Sequence, residues 1–123
     1  MTTERSLVSV IDDDESVRES LPDLLRQFGF AAVAFASAEA FLESQLVGRT
    51  QCLVLDVAMP GMSGLDLQQE LMRRRREIPI VFITATGDQA IGPRVLAQGA
   101  VACLSKPFSE PALLHALKAA LRG

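Results

Sequence analysis

Carboxylates, one hydroxyl and one ammonium stand at the ends of short apolar runs in this sequence. LVSVI is followed by Asp12, Asp13 and Asp14, CLVLD ends in Asp56, IPIVFIT ends in Thr84, and VACL is followed at short distance by Lys106 and Pro107. Carboxylates gathered from separate segments raise one another's pKa values unless a cation relieves them. All-oxygen donors with room for water suit a small hard ion such as Mg²⁺, with Mn²⁺ or another divalent ion as substitutes. A divalent ion beside a carboxylate, with a Lys and a Thr aimed at the same space, is what a phosphoryl group needs. The cations neutralise its equatorial oxygens while a carboxylate oxygen attacks in line.

These residues converge only if the runs before them are strands of one sheet. Leu7–Ile11, 31–35, Cys52–Asp56, Ile78–Thr84 and Val101–Leu104 read as five strands, and CLVLD as one buried on both faces. Between them lie segments of helical period. The first carries Val17, Leu21, Leu24, Leu25 and Phe28 on one face, with Asp14 as N-cap, Gly29 as terminator and a kink expected at Pro22. Ser37 opens a second helix to about Ser44. Ser63 and Asp66 form a capping box for a third, with Leu67 and Leu71 inward. A fourth, from about Asp88 to Gln98, is expected to start late or be distorted because it contains Gly92 and Pro93. Ser109, Glu110 and Pro111 start the fifth.

Strands alternating with helices predict an α/β fold, a single five-stranded parallel sheet covered on both faces. The flavodoxin-like order 2-1-3-4-5 is expected, with ligands beyond the carboxyl ends of strands 1 and 3. It separates Cys52 from Cys103 by a strand and excludes a disulfide between them.

The 123 residues, 49% apolar and 22% charged with net charge −3, fit one domain, read as 1–123, and exclude fold-scale disorder. No run of about 18 apolar residues offers a membrane span. No basic stretch leads into an apolar segment and a cleavage site, so a cytoplasmic protein is expected. Two cysteines make no disulfide framework, and the single histidine, His115, builds no metal cluster. Arg73–Arg76 reads as a solvated helix end, and Met59 and Met62 as packing residues.

VIDDDESVR, LVLDVAMPGMSG, FITATGD and the KPF triplet, in this order and spacing, resemble the receiver domain of bacterial two-component response regulators. FASAEAFL after GF adds a likeness to the FixJ-type branch. The resemblance covers essentially the whole chain and implies a CheY-like fold. It implies Asp56 as phosphoacceptor, Asp13 and Asp56 as direct metal ligands, Asp12 as a ligand largely through water, and the Ala58 backbone carbonyl as a further ligand. Thr84, Lys106 and the Ala85 backbone N–H would hold phosphoryl oxygens, and the Lys106–Pro107 bond would be cis. Ala58 and Thr86 would lie where phosphoryl lifetime is tuned.

The implied partner is a sensor histidine kinase. Slow autodephosphorylation, a homodimer of the phosphorylated form, and DNA contact only through an output domain absent from this chain are also implied, the alternative being a stand-alone phosphorelay receiver that acts by protein–protein contact. Cys103 stands where the family usually has an aromatic switch residue, so activation is expected to rely on Thr84 and segment 85–93, with Gly87 and Gly92 absorbing the backbone change. Two rivals are weaker. An Asp-nucleophile phosphohydrolase lacks a second carboxylate two residues after Asp56, where Ala58 stands. A flavin or nucleotide binder lacks a glycine-rich phosphate loop and any Trp or Tyr.

Overall fold

The computed structural model describes residues 5–85 and 90–122. In chain order the elements are β1 (Leu7–Ile11), α1 (Glu15–Gln27), β2 (Ala31–Phe35), α2 (Ala38–Glu43), a 3-10 turn (Val47–Arg49), β3 (Cys52–Asp56), α3 (Gly64–Arg73), β4 (Ile80–Thr84), α4 (Ile91–Ala97), β5 (Ala102–Ser105) and α5 (Glu110–Arg122). The strands form one sheet in the order β2-β1-β3-β4-β5, and every pairing is parallel.

Strand side chains alternate between faces, and the two halves of the core follow that alternation. Val8, Val10, Cys52, Val54, Val81 and Ile83 pack against Leu21 and Leu25 of α1 and Leu113 and Leu117 of α5. Ile11, Leu53, Leu55 and Phe82 pack on the opposite face, against Phe41 of α2, Leu67 and Leu71 of α3 and Val95 of α4. The central strands β3 and β4 are buried at every position, as continuous apolar runs require. Ser9, the polar residue inside β1, bonds Thr50 Oγ1 at 2.7 Å, and that hydroxyl donates to the Leu46 carbonyl.

Local signals set the helix starts. The Asp14 carboxylate accepts from the Ser16 N–H, Ser37 from Ala40, and Ser63 with Asp66 forms the reciprocal capping box. Gly29 ends α1 at φ +101°, a conformation that costs glycine little. The helix passes through Pro22, which is buried. β4 starts at Ile80 rather than Ile78, and β5 is displaced by one residue to Ala102–Ser105, the register in which Thr84 pairs with Ser105. α4 begins late, at Ile91, so Gly92 and Pro93 fall in its first turn, where the proline's missing donor would have had no intrahelical acceptor. Asp88, the expected start of that helix, lies outside the described residues, as do Thr86 and Gly87. Neither Cys52 nor Cys103 is in a disulfide.

Candidate functional site

The register of the sheet brings the carboxylates together. Ile11 pairs with Leu55, so the next residues in each chain, Asp12 and Asp56, stand side by side at the carboxyl edge of the two central strands. One carboxylate oxygen from each of Asp12, Asp13 and Asp56 lies within 4.8 Å of the others. Asp12 is fully buried, Asp56 is 7% exposed, and Asp13 faces solvent.

Asp12 is held by several groups at once. Its N–H donates to the Phe35 carbonyl at 3.2 Å, which extends the β1–β2 ladder by one bond. Its Oδ1 accepts from the Asp14 N–H at 2.9 Å, and Arg18 donates to its backbone carbonyl at 3.1 Å. Lys106 Nζ donates to its Oδ2 at 3.0 Å, across the sheet from the end of β5. The Lys106–Pro107 peptide is cis, as expected, and the Lys106 N–H continues the β4–β5 ladder by donating to the Thr84 carbonyl at 2.8 Å.

Asp56 closes β3 at the base of the cluster. Burial pushes its carboxyl pKa up to about 7, helped by the negative charges of Asp12 and Asp13. The Lys106 ammonium and the Ala58 backbone N–H bond pull in the other direction. Burial alone would lower the Lys106 pKa, but its hydrogen bond to Asp12 and the attraction of Asp12, Asp56 and Asp14 outweigh this, and the net direction is up. Three crowded carboxylates against one ammonium leave the cluster over-supplied with anionic oxygen. The donors are hard oxygens, one of them exposed, and this set fits a small divalent cation that keeps part of its water.

Thr84 ends β4, the strand next to β3. Its hydroxyl donates only weakly, at 3.5 Å, to the Ala85 carbonyl. Ala85 and Ala58 are both exposed beside the cluster. Cys103 sits half-buried on β5, and a Cβ built on Gly92 would lie 4.0 Å from the Cys103 Cβ, so the first turn of α4 packs closely there.

Three contributors were not evident from the sequence. Strand alternation should have exposed the first: Val8, Val10 and then Asp12 share a parity, as do Cys52, Val54 and Asp56, and as do Ala102, Leu104 and Lys106. That common face explains why Lys106 meets Asp12. The second is Gly64, where a Cβ would collide with the Asp56 carbonyl oxygen while the Gly64 N–H donates to Val57 at 2.9 Å. The third is Glu39, which accepts from the Met62 N–H at 3.2 Å and braces the turn between β3 and α3.

Other readings of the sequence hold. Met59 is buried in the core and Met62 packs against it, His115 is exposed, and Arg73–Arg76 lie in solvent with Glu70 paired to Arg73 and Arg74. Among the described residues no helix is long and apolar enough to cross a membrane.

Comparisons with known proteins identify the family. Nodulation protein W of Bradyrhizobium diazoefficiens is 49% identical over 116 residues, 94% of this chain and 51% of that protein. The transcriptional regulatory protein FixJ of Azorhizobium caulinodans is 41% identical over 114 residues, 93% of this chain and 54% of that protein. The chain thus spans about half the length of these curated relatives. The crystal structure of FixJ-N superposes with a TM-score of 0.87 at 34% identity, covering 98% of this chain and 96% of that one. Residues 8–118 match the family described as the response regulator receiver domain, and the chain belongs to that family.

Proposed function

We propose that this chain accepts a phosphoryl group on Asp56 from a phosphohistidine of a sensor histidine kinase. The observation that carries the reading is a buried carboxylate at the end of β3, grouped with Asp12 and Asp13 and facing a lysine held across the sheet. An Asp56 oxygen attacks phosphorus in line, the N–P bond breaks, and its electron pair returns to the imidazole, which leaves an acyl phosphate.

The ion that suits the acidic cluster is Mg²⁺, which Asp12, Asp13, Asp56 and the Ala58 carbonyl would hold, and it would supply positive charge that offsets the phosphoryl oxygens and favours ionised Asp56. Lys106, already 3.0 Å from Asp12, turns to a phosphoryl oxygen as that charge arrives. The Thr84 hydroxyl, weakly engaged now, reorients to donate to the same group together with the Ala85 N–H.

The acyl phosphate is then hydrolysed slowly at the same site. A carboxylate two residues after Asp56 would provide a general acid, and Ala58 stands there instead, which favours signalling over turnover. Phosphorylation shifts the surface of α4, β5 and α5, promotes a homodimer and controls a DNA-binding, transcriptional output domain. The name of the FixJ relative supports that output. Residues 1–123 form the receiver unit, an assignment supported by FixJ-N, nearly all of which the chain covers.

The test is intact mass after incubation with Mg²⁺ and acetyl phosphate. A gain of one phosphoryl group that Asp56→Asn abolishes is expected. No gain, or an unchanged gain in the variant, rejects the assignment.

A further inference from the structure

At the edge of the sheet opposite the acidic cluster, a groove of about 750 Å³ opens where α3, α4 and α5 end and β4 and β5 begin. β4 runs from Ile80 in this groove to Thr84 at the phosphoacceptor edge, roughly 13 Å away. A partner seated here leaves the site uncovered.

The groove joins four features. Its apolar walls include Leu71, Ile78, Pro79 and Ile80, together with Met72 and Val101. Met72, at 59% exposure, and Val101, at 36%, are two of the three large apolar side chains that the described residues leave exposed. Both stand at the mouth of the groove, beside its apolar walls.

Gln68 and Gln98 also line it, and each has a buried side-chain oxygen without a hydrogen-bond partner. Gln68 is 3% exposed, and its amide nitrogen is committed to the Val95 and Gln98 carbonyls at 3.4 and 3.5 Å. Its oxygen therefore points away from those carbonyls and lacks a donor, a costly arrangement in a buried site.

The rim carries Arg75 and Arg76. Both are exposed, and neither makes an ion pair among the described residues, whereas Arg73 and Arg74 share Glu70. Arg75 has φ +58°, the left-handed position of a Schellman turn in which Arg76 N–H bonds the Leu71 carbonyl and Arg75 N–H the Met72 carbonyl. Glycine is the low-cost residue at that position. An arginine there spends backbone energy to project a guanidinium at the mouth of the groove.

We infer that this groove is a docking site for an acidic, apolar segment of a partner protein. Its apolar side chain seats on Met72 and Val101, its N–H donors reach the glutamine oxygens after a small opening of the α3–α4 contact, and its carboxylates pair with Arg75 and Arg76. Charge complementarity selects this occupant. Arg75 stands at the mouth without an ionic partner among the described residues, Arg76 follows it with its guanidinium against Gly48, and Glu77 is the single acid in the lining.

The probe is a capped hexapeptide of alternating Glu with Leu or Phe, titrated into the ¹⁵N-labelled chain, beside the same peptide with Lys in place of Glu. Shifts are expected for the Gln68 and Gln98 side-chain amides and for residues 71–80, with the Lys peptide at least tenfold weaker. Arg75→Gly is the decisive variant: it relaxes the backbone, so its melting temperature stays level or rises, while affinity falls about fivefold or more. Arg76→Ser weakens binding independently. Absence of shifts at these residues up to millimolar peptide, equal binding of the Lys peptide, or full affinity in Arg75→Gly overturns the inference. So does a response confined to duplex DNA, to anionic vesicles or to a second copy of the chain.

Discussion

Gly64→Ala tests how the first turn of α3 holds the phosphoacceptor strand. The added Cβ would collide with the Asp56 carbonyl oxygen and would lie 3.1 Å from both the Asp56 carbonyl carbon and Phe82 Cε1. Two of the three obstacles are backbone and the third is a ring buried in the core, so no flexible side-chain end can yield. Restoring ordinary contact requires the start of α3 and the end of β3 to separate by roughly 1 Å. Overpacking of this kind costs about 1–3 kcal/mol. The Gly64 N–H bond to Val57, 2.9 Å long, is strained or lost for about 1 kcal/mol more. The variant should thus lose about 2–4 kcal/mol in urea unfolding at unchanged m-value. Because Asp56 moves with its own carbonyl, acyl-phosphate formation from acetyl phosphate should slow at least tenfold, in line with the sensitivity of in-line attack to displacements of this size.

Gly29→Ala is the matched control. A Cβ there meets nothing within 4 Å, but φ is +101°, so the change strains the backbone of a turn that is not part of the site. It should cost about 1–2 kcal/mol and leave the phosphorylation rate unchanged. If Gly64→Ala matched wild type in stability, the close approach would be absent. If it were destabilised yet phosphorylated at the normal rate, α3 would not position Asp56.

Three further outcomes are expected. Asp56 titrates near 7 in the folded, metal-free chain and near 3.8 when unfolded, so the folded state retains a proton that the unfolded state has lost between those values. Its contribution therefore makes stability fall as pH rises through that window and level off above about 7; thermal melts of wild type and Asp56→Asn with chelator from pH 5 to 8 should diverge with rising pH, and parallel curves would refute the assignment. Lys106→Ala leaves the fully buried Asp12 carboxylate without its ammonium and should cost about 1–3 kcal/mol; a chemical-denaturation midpoint equal to wild type would show that the pair contributes nothing. Burial pushes the Cys52 thiol up to about 12, so iodoacetamide at pH 8 should leave it unmodified in peptide maps until denaturant is added, and rapid native labelling would contradict its placement in the core.

The parts of this fold legible in the sequence are those fixed by local patterning. β1, β2 and β3 have the bounds their apolar runs predict, and Asp14, Ser37 and Ser63 cap the helices they precede. β4 and β5 are shifted because their ends are set by pairing with each other and with β3, which a run of apolar residues does not encode. Val101 looks like strand by type, yet it is exposed and only its N–H, donated to the Ile80 carbonyl, joins the ladder. The carboxylate cluster was legible because each member stands at or just past the carboxyl end of a strand. The Asp12–Lys106 pair follows from strand parity, whereas the approach of Gly64 to Asp56 and the left-handed Arg75 depend on contacts or backbone geometry that residue type alone does not encode.

Strand alternation also separates the site into two mechanical halves. Asp12, Asp56 and Lys106 continue the parity of residues that pack beneath α1 and α5, whereas Thr84 shares parity with Ile80 and Phe82, which pack with Leu67, Leu71 and Val95 of α3 and α4. A group bonded to Asp56 and drawing in Thr84 would therefore bridge the two core layers at their common edge. The α1–α5 layer is anchored there by the Asp12–Lys106 pair and by Arg18. On the other side α4 is seven residues long, has no side-chain N-cap among the described residues, and is fastened to α3 by the long Gln68 hydrogen bonds. Displacement at Thr84 should therefore be taken up by the α4 layer rather than by the α1–α5 layer, because elements held by few and poor contacts move at the lowest free-energy cost.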